Sequence, residues 1–166
     1  MQPTRRHFLM LTAATGGLAA LGQVPRAGAE TFEITLSEAE WKKRLTPAQF
    51  AILREEETER AFSNSLKGES SPLLKEARAG TYDCAGCALP VYPSDTKFDS
   101  GTGWPSFWAP IKGAIGTKED RRLFSVRTEV HCRRCGGHLG HVFDDGPKPT
   151  GKRHCLNGLA LTFTPA

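Results

Sequence analysis

The sequence predicts a mainly β body with short helices on its N-terminal side and a four-cysteine metal site. Three observations carry this. Two C-x-x-C pairs, Cys84/Cys87 and Cys132/Cys135, have the spacing that lets both sulfurs of a pair reach one ion. From Gly80 onward, short apolar runs alternate with Gly and Pro, and no long helical period is visible. Before residue 66, two helix-start signatures stand close together.

At 166 residues the chain is long enough to bury one sizeable core. Residues 1–29 hold Arg5, Arg6 and Arg26 and no acid, so they carry three of the four net positive charges. The remaining body is near neutral, which argues against a nucleic-acid partner.

Thr4-Arg5-Arg6-His7-Phe8-Leu9 opens the chain, an Ala/Gly/Leu-rich run follows, and Ala27-Gly28-Ala29 offers a small-x-small cleavage site. That order is the order of a secretory signal. The paired arginines are similar to a twin-arginine export signal. Residues 1–29 are therefore expected to be a signal peptide read by the twin-arginine machinery, and residues 30–166 the mature periplasmic domain.

Residues 30–66 read as helical. Ser37-x-x-Glu40 is a capping box, followed by Trp41 and Leu45 four apart. Thr46-Pro47-Ala48-Gln49 is a second start, with Phe50 and Leu53 behind it. Gly68 to Pro72 reads as a break. Strands are expected at Leu123–Val130, His138–Phe143 and Leu156–Phe163.

Forty-four residues separate Cys87 from Cys132, too many for one compact zinc ribbon, so a metal here would staple two distant loops. Four thiolates fill a tetrahedron and leave no open position, which makes the expected Zn2+ structural. Two disulfides are the alternative in an oxidising compartment. Gly86 and Gly136 are the residues expected to relax the two knuckle turns.

Cys155 is left without a partner, within Arg153-His154-Cys155-Leu156-Asn157. It is either a buried core cysteine or a nucleophile. Arg153 and His154 would lower its pKa if they point at it, and Asn157 offers a hydrogen bond. His138 and His141 stand three apart around Gly140, which permits a kink that turns both rings inward. The alternatives are a second metal site or surface histidines. Trp104, in the Gly-rich loop Phe98–Phe107, is either core or the apolar wall of a small pocket.

Both C-x-x-C pairs, Gly-Trp-Pro-Ser-Phe, His-Leu-Gly-His-Val-Phe and Arg-His-Cys-Leu-Asn-Gly occur in one order between Gly80 and Pro165. Together they resemble the zinc-containing methionine-R-sulfoxide reductases. The resemblance implies a body of two antiparallel sheets and attack by Cys155 on the sulfoxide sulfur of methionine-R-sulfoxide in oxidised proteins. It places Trp104 and Phe163 at the substrate methyl group. It implies that His138 and His141 position and protonate the sulfoxide oxygen, with Arg153 and Asn157 flanking the nucleophile. Family members often carry a resolving cysteine where this chain has Thr102. The cycle expected here therefore passes through a Cys155 sulfenic acid reduced by an external thiol, thioredoxin-like or small. A zinc-stapled binding module with an inert Cys155, and a thiol peroxidase, are the rival readings.

Overall fold

The computed structural model describes residues 30–121 and 126–166. The expected export signal in residues 1–29, and residues 123–125 of one expected strand, lie outside them. Among the described residues no helix is long and apolar enough to cross a membrane.

Two helices begin where their caps predict. In α1 (Glu38–Arg44), Ser37 Oγ accepts from the Glu40 amide while the Glu40 carboxylate accepts from the Ser37 amide. In α2 (Pro47–Glu55), Thr46 and Gln49 repeat the arrangement, with Pro47 pre-set in the first turn. Each such cap stabilises a helix by about 1 kcal/mol. The expected helical stretch is shorter than the sequence suggested. It stops at Glu56, which takes a left-handed φ of 58°. A run of acidic residues past that point offers no apolar stripe to bury. Residues 56–64 are mostly irregular, and a two-stranded hairpin, β1 (Ser65–Leu66) and β2 (Glu69–Ser70), turns through Lys67 and Gly68, both at positive φ.

Two larger antiparallel sheets follow. The three-stranded one contains β3 (Gly80–Cys84) and β4 (Pro90–Pro93), with the C-terminal β11 (Leu161–Pro165) on the other side of β3. The six-stranded one contains β5 (Lys97–Phe98), β6 (Ser106–Phe107), β7 (Ile115–Asp120), β8 (Arg127–Cys132), β9 (His138–Phe143) and β10 (Arg153–Leu156), ordered β5-β6-β10-β9-β8-β7. The expected strand over residues 156–163 is instead the end of β10, a 3-10 turn at Gly158–Ala160 and the start of β11. The chain changes sheets there, and a single strand could not.

Tyr82, Tyr92 and Phe107 form the aromatic centre of the core, with ring centroids 4.7–4.8 Å apart. Helix α2 buries Phe50, Ile52 and Leu53. Arg54 at its end donates to the Cys135 carbonyl at 3.0 Å. The second helix therefore roofs the cysteine knuckles.

Candidate active site and metal centre

Cys84 ends β3, and Cys87 follows in the turn toward β4. Cys132 ends β8, and Cys135 lies in the turn into β9. The two knuckles meet at a corner between the sheets. One sulfur from each of the four lies within 4.8 Å of the others, with Cys84–Cys135 at 3.7 Å and Cys87–Cys132 at 3.5 Å. None of these pairs is a disulfide. A zinc tetrathiolate with Zn–S of about 2.3 Å has sulfur–sulfur edges of about 3.8 Å, so the four sulfurs fit Zn2+. All four cysteines are buried. A zinc held there cross-links the sheets and offers no open coordination position.

The glycine expectation for the knuckles holds in one of the two. The left-handed residue is the one after the second cysteine: Gly136 at φ 67° and Ala88 at φ 55°. Gly86 has no such φ. It is Ala88 that carries the strain in the first knuckle.

The other centre is laid out by strand register. Across the six-stranded sheet, Lys118, Glu129, His141, Cys155, Ser106 and Phe98 are successive Cα partners, one per strand. Directly opposed residues share a sheet face. That register sets His141 beside Cys155 on one side and Ser106 beside it on the other.

His138 joins them through a bulge. The β8–β9 register slips between Val130 and His131, so Leu139 is the extra residue on β9. An extra residue offsets the two-residue alternation, and residues three apart come together. The His138 and His141 rings sit edge to face at 5.3 Å. A Cβ on Gly140 would fall 2.1 Å from the Cys155 carbonyl oxygen, so only glycine lets β9 and β10 approach this closely.

Around Cys155 opens a cavity of about 220 Å3, lined by Trp104, His141, Phe143, Arg127, Thr58 and Asn157 among others. Its walls are apolar on the indole and Phe143 side and polar at His141. Phe163 does not line it. That ring lies on β11 against Tyr82 at 5.1 Å, because β11 belongs to the other sheet. Phe143 is the phenyl ring at the cavity. It was within the motif His138–Phe143, but nothing in its spacing distinguished it.

The polar groups are held from behind. His141 Nε2 lies 2.8 Å from Asp120 Oδ2, which also accepts from Arg127 Nη2 at 2.7 Å. A carboxylate can only accept, so His141 Nε2 carries the proton in that bond. Burial holds His141 below the usual imidazole range, against the opposing pull of Asp120. His138 Nδ1 lies 3.1 Å from Glu129 Oε1, whose other oxygen is 3.2 Å from Lys118 Nζ.

Cys155 differs from its sequence reading in one respect. Burial pushes its thiol up; the Thr102 hydroxyl, Arg153 and Ser106 oppose that without overcoming it. Arg153 is held bidentately by Asp145, at 2.8 Å on each arm, and stacks over Phe143. His154 does not point at the thiol. It alternates to the opposite face, hydrogen-bonds Tyr92 at 3.0 Å, and is held down to about 4 by burial.

Asn157 works as a strut. Its Oδ1 accepts from the Glu59 amide at 3.1 Å and its Nδ2 donates to the Leu139 carbonyl at 3.3 Å. Glu59 was not visible as a site residue, because it stands in the charge run Glu55-Glu56-Glu57-Thr58-Glu59-Arg60, which reads as a solvated face. The fold buries its carboxylate, which accepts from the Gly158 and Leu159 amides at 2.6 and 2.9 Å and from Asn64 at 2.6 Å. Its carbonyl accepts from the Trp104 indole at 3.2 Å. One buried residue thus ties the indole, the Asn157 side chain and the turn after β10 together.

A family model described as the SelR domain matches residues 45–165. Proteins named peptide methionine sulfoxide reductase MsrB are similar over most of the chain. The one from Leptospira interrogans is 47% identical over 133 residues, covering 80% of this chain and 96% of that protein. The one from Agrobacterium fabrum is 48% identical, covering 80% and 94%. The one from the archaeon Methanosarcina barkeri is 52% identical, covering 76% and 85%.

Proposed function

The chain belongs to the SelR-domain family of MsrB-type peptide methionine sulfoxide reductases, and from that membership we propose that its cleft reduces methionine-R-sulfoxide in peptides and proteins to methionine. The observation that carries this reading is the pairing of Cys155 with His141 across β9 and β10, at the floor of a cavity walled by Trp104.

Cys155 is the nucleophile. Its thiolate attacks the sulfoxide sulfur while a proton reaches the sulfoxide oxygen, which is a poor leaving group without one. The attack forms a sulfur–sulfur bond. The protonated oxygen departs as water, and a water oxygen bonds to the Cys155 sulfur as that bond breaks, with one proton consumed overall. The substrate sulfur thereby gains two electrons and departs as methionine. Cys155 loses two and is left as a sulfenic acid. Two equivalents of an external thiol then return it to the thiol, releasing a disulfide and water. His141 moves the proton, with Asp120 fixing its ring. His138 positions the same end of the cleft. Trp104 and Phe143 receive the apolar methyl group, and Arg153 supplies positive charge near the sulfur. The zinc site, in the other corner of the body, supplies stability.

We also infer export. Arg5-Arg6 and the cleavage site at Ala27–Ala29 support a twin-arginine signal and a periplasmic mature protein beginning near Glu30. N-terminal sequencing of periplasmic protein that still begins at Met1 refutes cleavage.

The reductase reading is tested with separated R and S epimers of dabsyl-methionine sulfoxide and dithiothreitol. The R epimer is turned over, the S epimer is not, and Cys155→Ser abolishes turnover while keeping fold and zinc. Equal use of both epimers, or substantial turnover by Cys155→Ser, overturns it.

A further inference from the structure

We propose that Thr102, polarised through Ser100 and Ser106, donates the hydrogen bond that stabilises the Cys155 thiolate. The proposal rests on Cys155 being the nucleophile and deepens that reading. Thr102 sits in the Gly-rich loop with its Oγ1 3.9 Å from Cys155 Sγ. Behind it, Ser100 Oγ lies 2.8 Å from Thr102 Oγ1 and 2.7 Å from Ser106 Oγ, and Ser106 Oγ reaches the Trp104 carbonyl at 3.1 Å. Sulfur, three hydroxyls and a carbonyl form one chain.

Proton counting gives the chain a direction. With Cys155 as a thiol, four protons serve four contacts: sulfur to Thr102, Thr102 to Ser100, Ser100 to Ser106, Ser106 to the Trp104 carbonyl. With Cys155 ionised, three protons remain for the same four contacts, and one contact goes empty. The anion needs its donor more than a neutral carbonyl does, because hydrogen bonds to charged groups are the stronger ones. The hydroxyls therefore reverse, Ser106 toward Ser100, Ser100 toward Thr102, Thr102 toward the sulfur. The 3.9 Å contact is long for the thiol and shortens as the sulfur becomes the acceptor. Where a thiol at residue 102 would consume the sulfenic acid, a hydroxyl serves the step before it.

The Ser106 hydroxyl also favours the ionised sulfur directly. Of the charged and titratable groups, Arg153 acts on the sulfur from its own strand, His141 and Arg127 line the same cavity, and Asp120 and His138 stand against His141. None of them depends on residue 102, so a substitution there isolates the hydroxyl.

The experiment uses the zinc-loaded protein without substrate, so it can fail independently of the reductase reading. The rate of iodoacetamide alkylation at Cys155 is followed against pH by mass spectrometry. Thr102→Val should move the midpoint upward by about one pH unit, the scale of a lost hydrogen bond to a charged group. Thr102→Ser, which keeps the hydroxyl, should return the midpoint to the parent value. If Thr102→Val loses its zinc, Thr102→Ala serves in its place. A midpoint that stays where it was in the apolar variants, or that Thr102→Ser shifts as far as they do, overturns the proposal.

Discussion

His141 and Cys155 are direct Cα partners across β9 and β10, and burial moves their titrations apart: the imidazole below its usual range, the thiol above its own. Between those two values the resting pair is neutral imidazole and neutral thiol. Beyond the Nε2 proton held against Asp120, the pair carries one more, the proton that the sulfoxide oxygen requires, and its departure from the sulfur creates the thiolate.

A plateau in the pH profile follows. Below the lowered imidazole pKa both groups are protonated and the thiolate is lost; above the raised thiol pKa both are deprotonated and the proton is lost. Single-turnover rates should be level between these limits and fall on each side. Because Asp120 pulls the His141 value upward, Asp120→Asn should carry the acid limb to lower pH. A single sigmoid centred near neutrality would contradict the shared proton.

Cys87→Ser should lose zinc and stability together, because structural zinc binding is folding free energy, on the order of 10 kcal/mol in small zinc domains. The surrounding sheets soften that figure. Metal analysis and thermal melting check it, and a variant that keeps both its parental melting temperature and one zinc per chain refutes it.

Glu59→Ala should leave the Gly158 and Leu159 amides and the Asn64 amide without their acceptor. A buried donor stranded in this way costs about 1–3 kcal/mol, so urea unfolding should show a loss on the order of 3 kcal/mol. The Trp104 indole is anchored by the same segment, so KM should rise as well. Parental stability would mean that water fills the gap.

Thr102→Cys should convert the oxidised state. The unmodified chain, after one turnover without reductant, should give a dimedone adduct on Cys155. The variant should give a disulfide between residue 102 and Cys155 in its place, since the Thr102 side chain already reaches within 3.9 Å of that sulfur. An intramolecular disulfide in the unmodified chain would show that a zinc ligand takes part.

The helix caps and the cysteine knuckles were legible because each depends on residues close in sequence. Ser37 with Glu40 and Cys132 with Cys135 carry their meaning at fixed spacing. The roles of Asp120, Phe143 and Glu59 were not legible, since each is created by a strand pairing or a fold-back over dozens of residues. Phe163 and His154 show the converse. Both lie in the motif region, and both are turned away from the cleft, one by the change of sheet after β10 and one by strand alternation. The inward turn of His138 was foreseeable from Gly140, although the extra residue that produces it is Leu139.

Four of the five cysteine sulfurs are sealed at the metal corner, and the fifth faces a threonine. The chain therefore holds no internal store of reducing equivalents. Without an outside thiol its capacity is one methionine per molecule, whatever the excess of damaged protein. Sustained repair is set by the thiol supply of its surroundings, so the same polypeptide is a catalyst in a reducing compartment and a stoichiometric scavenger in an oxidising one.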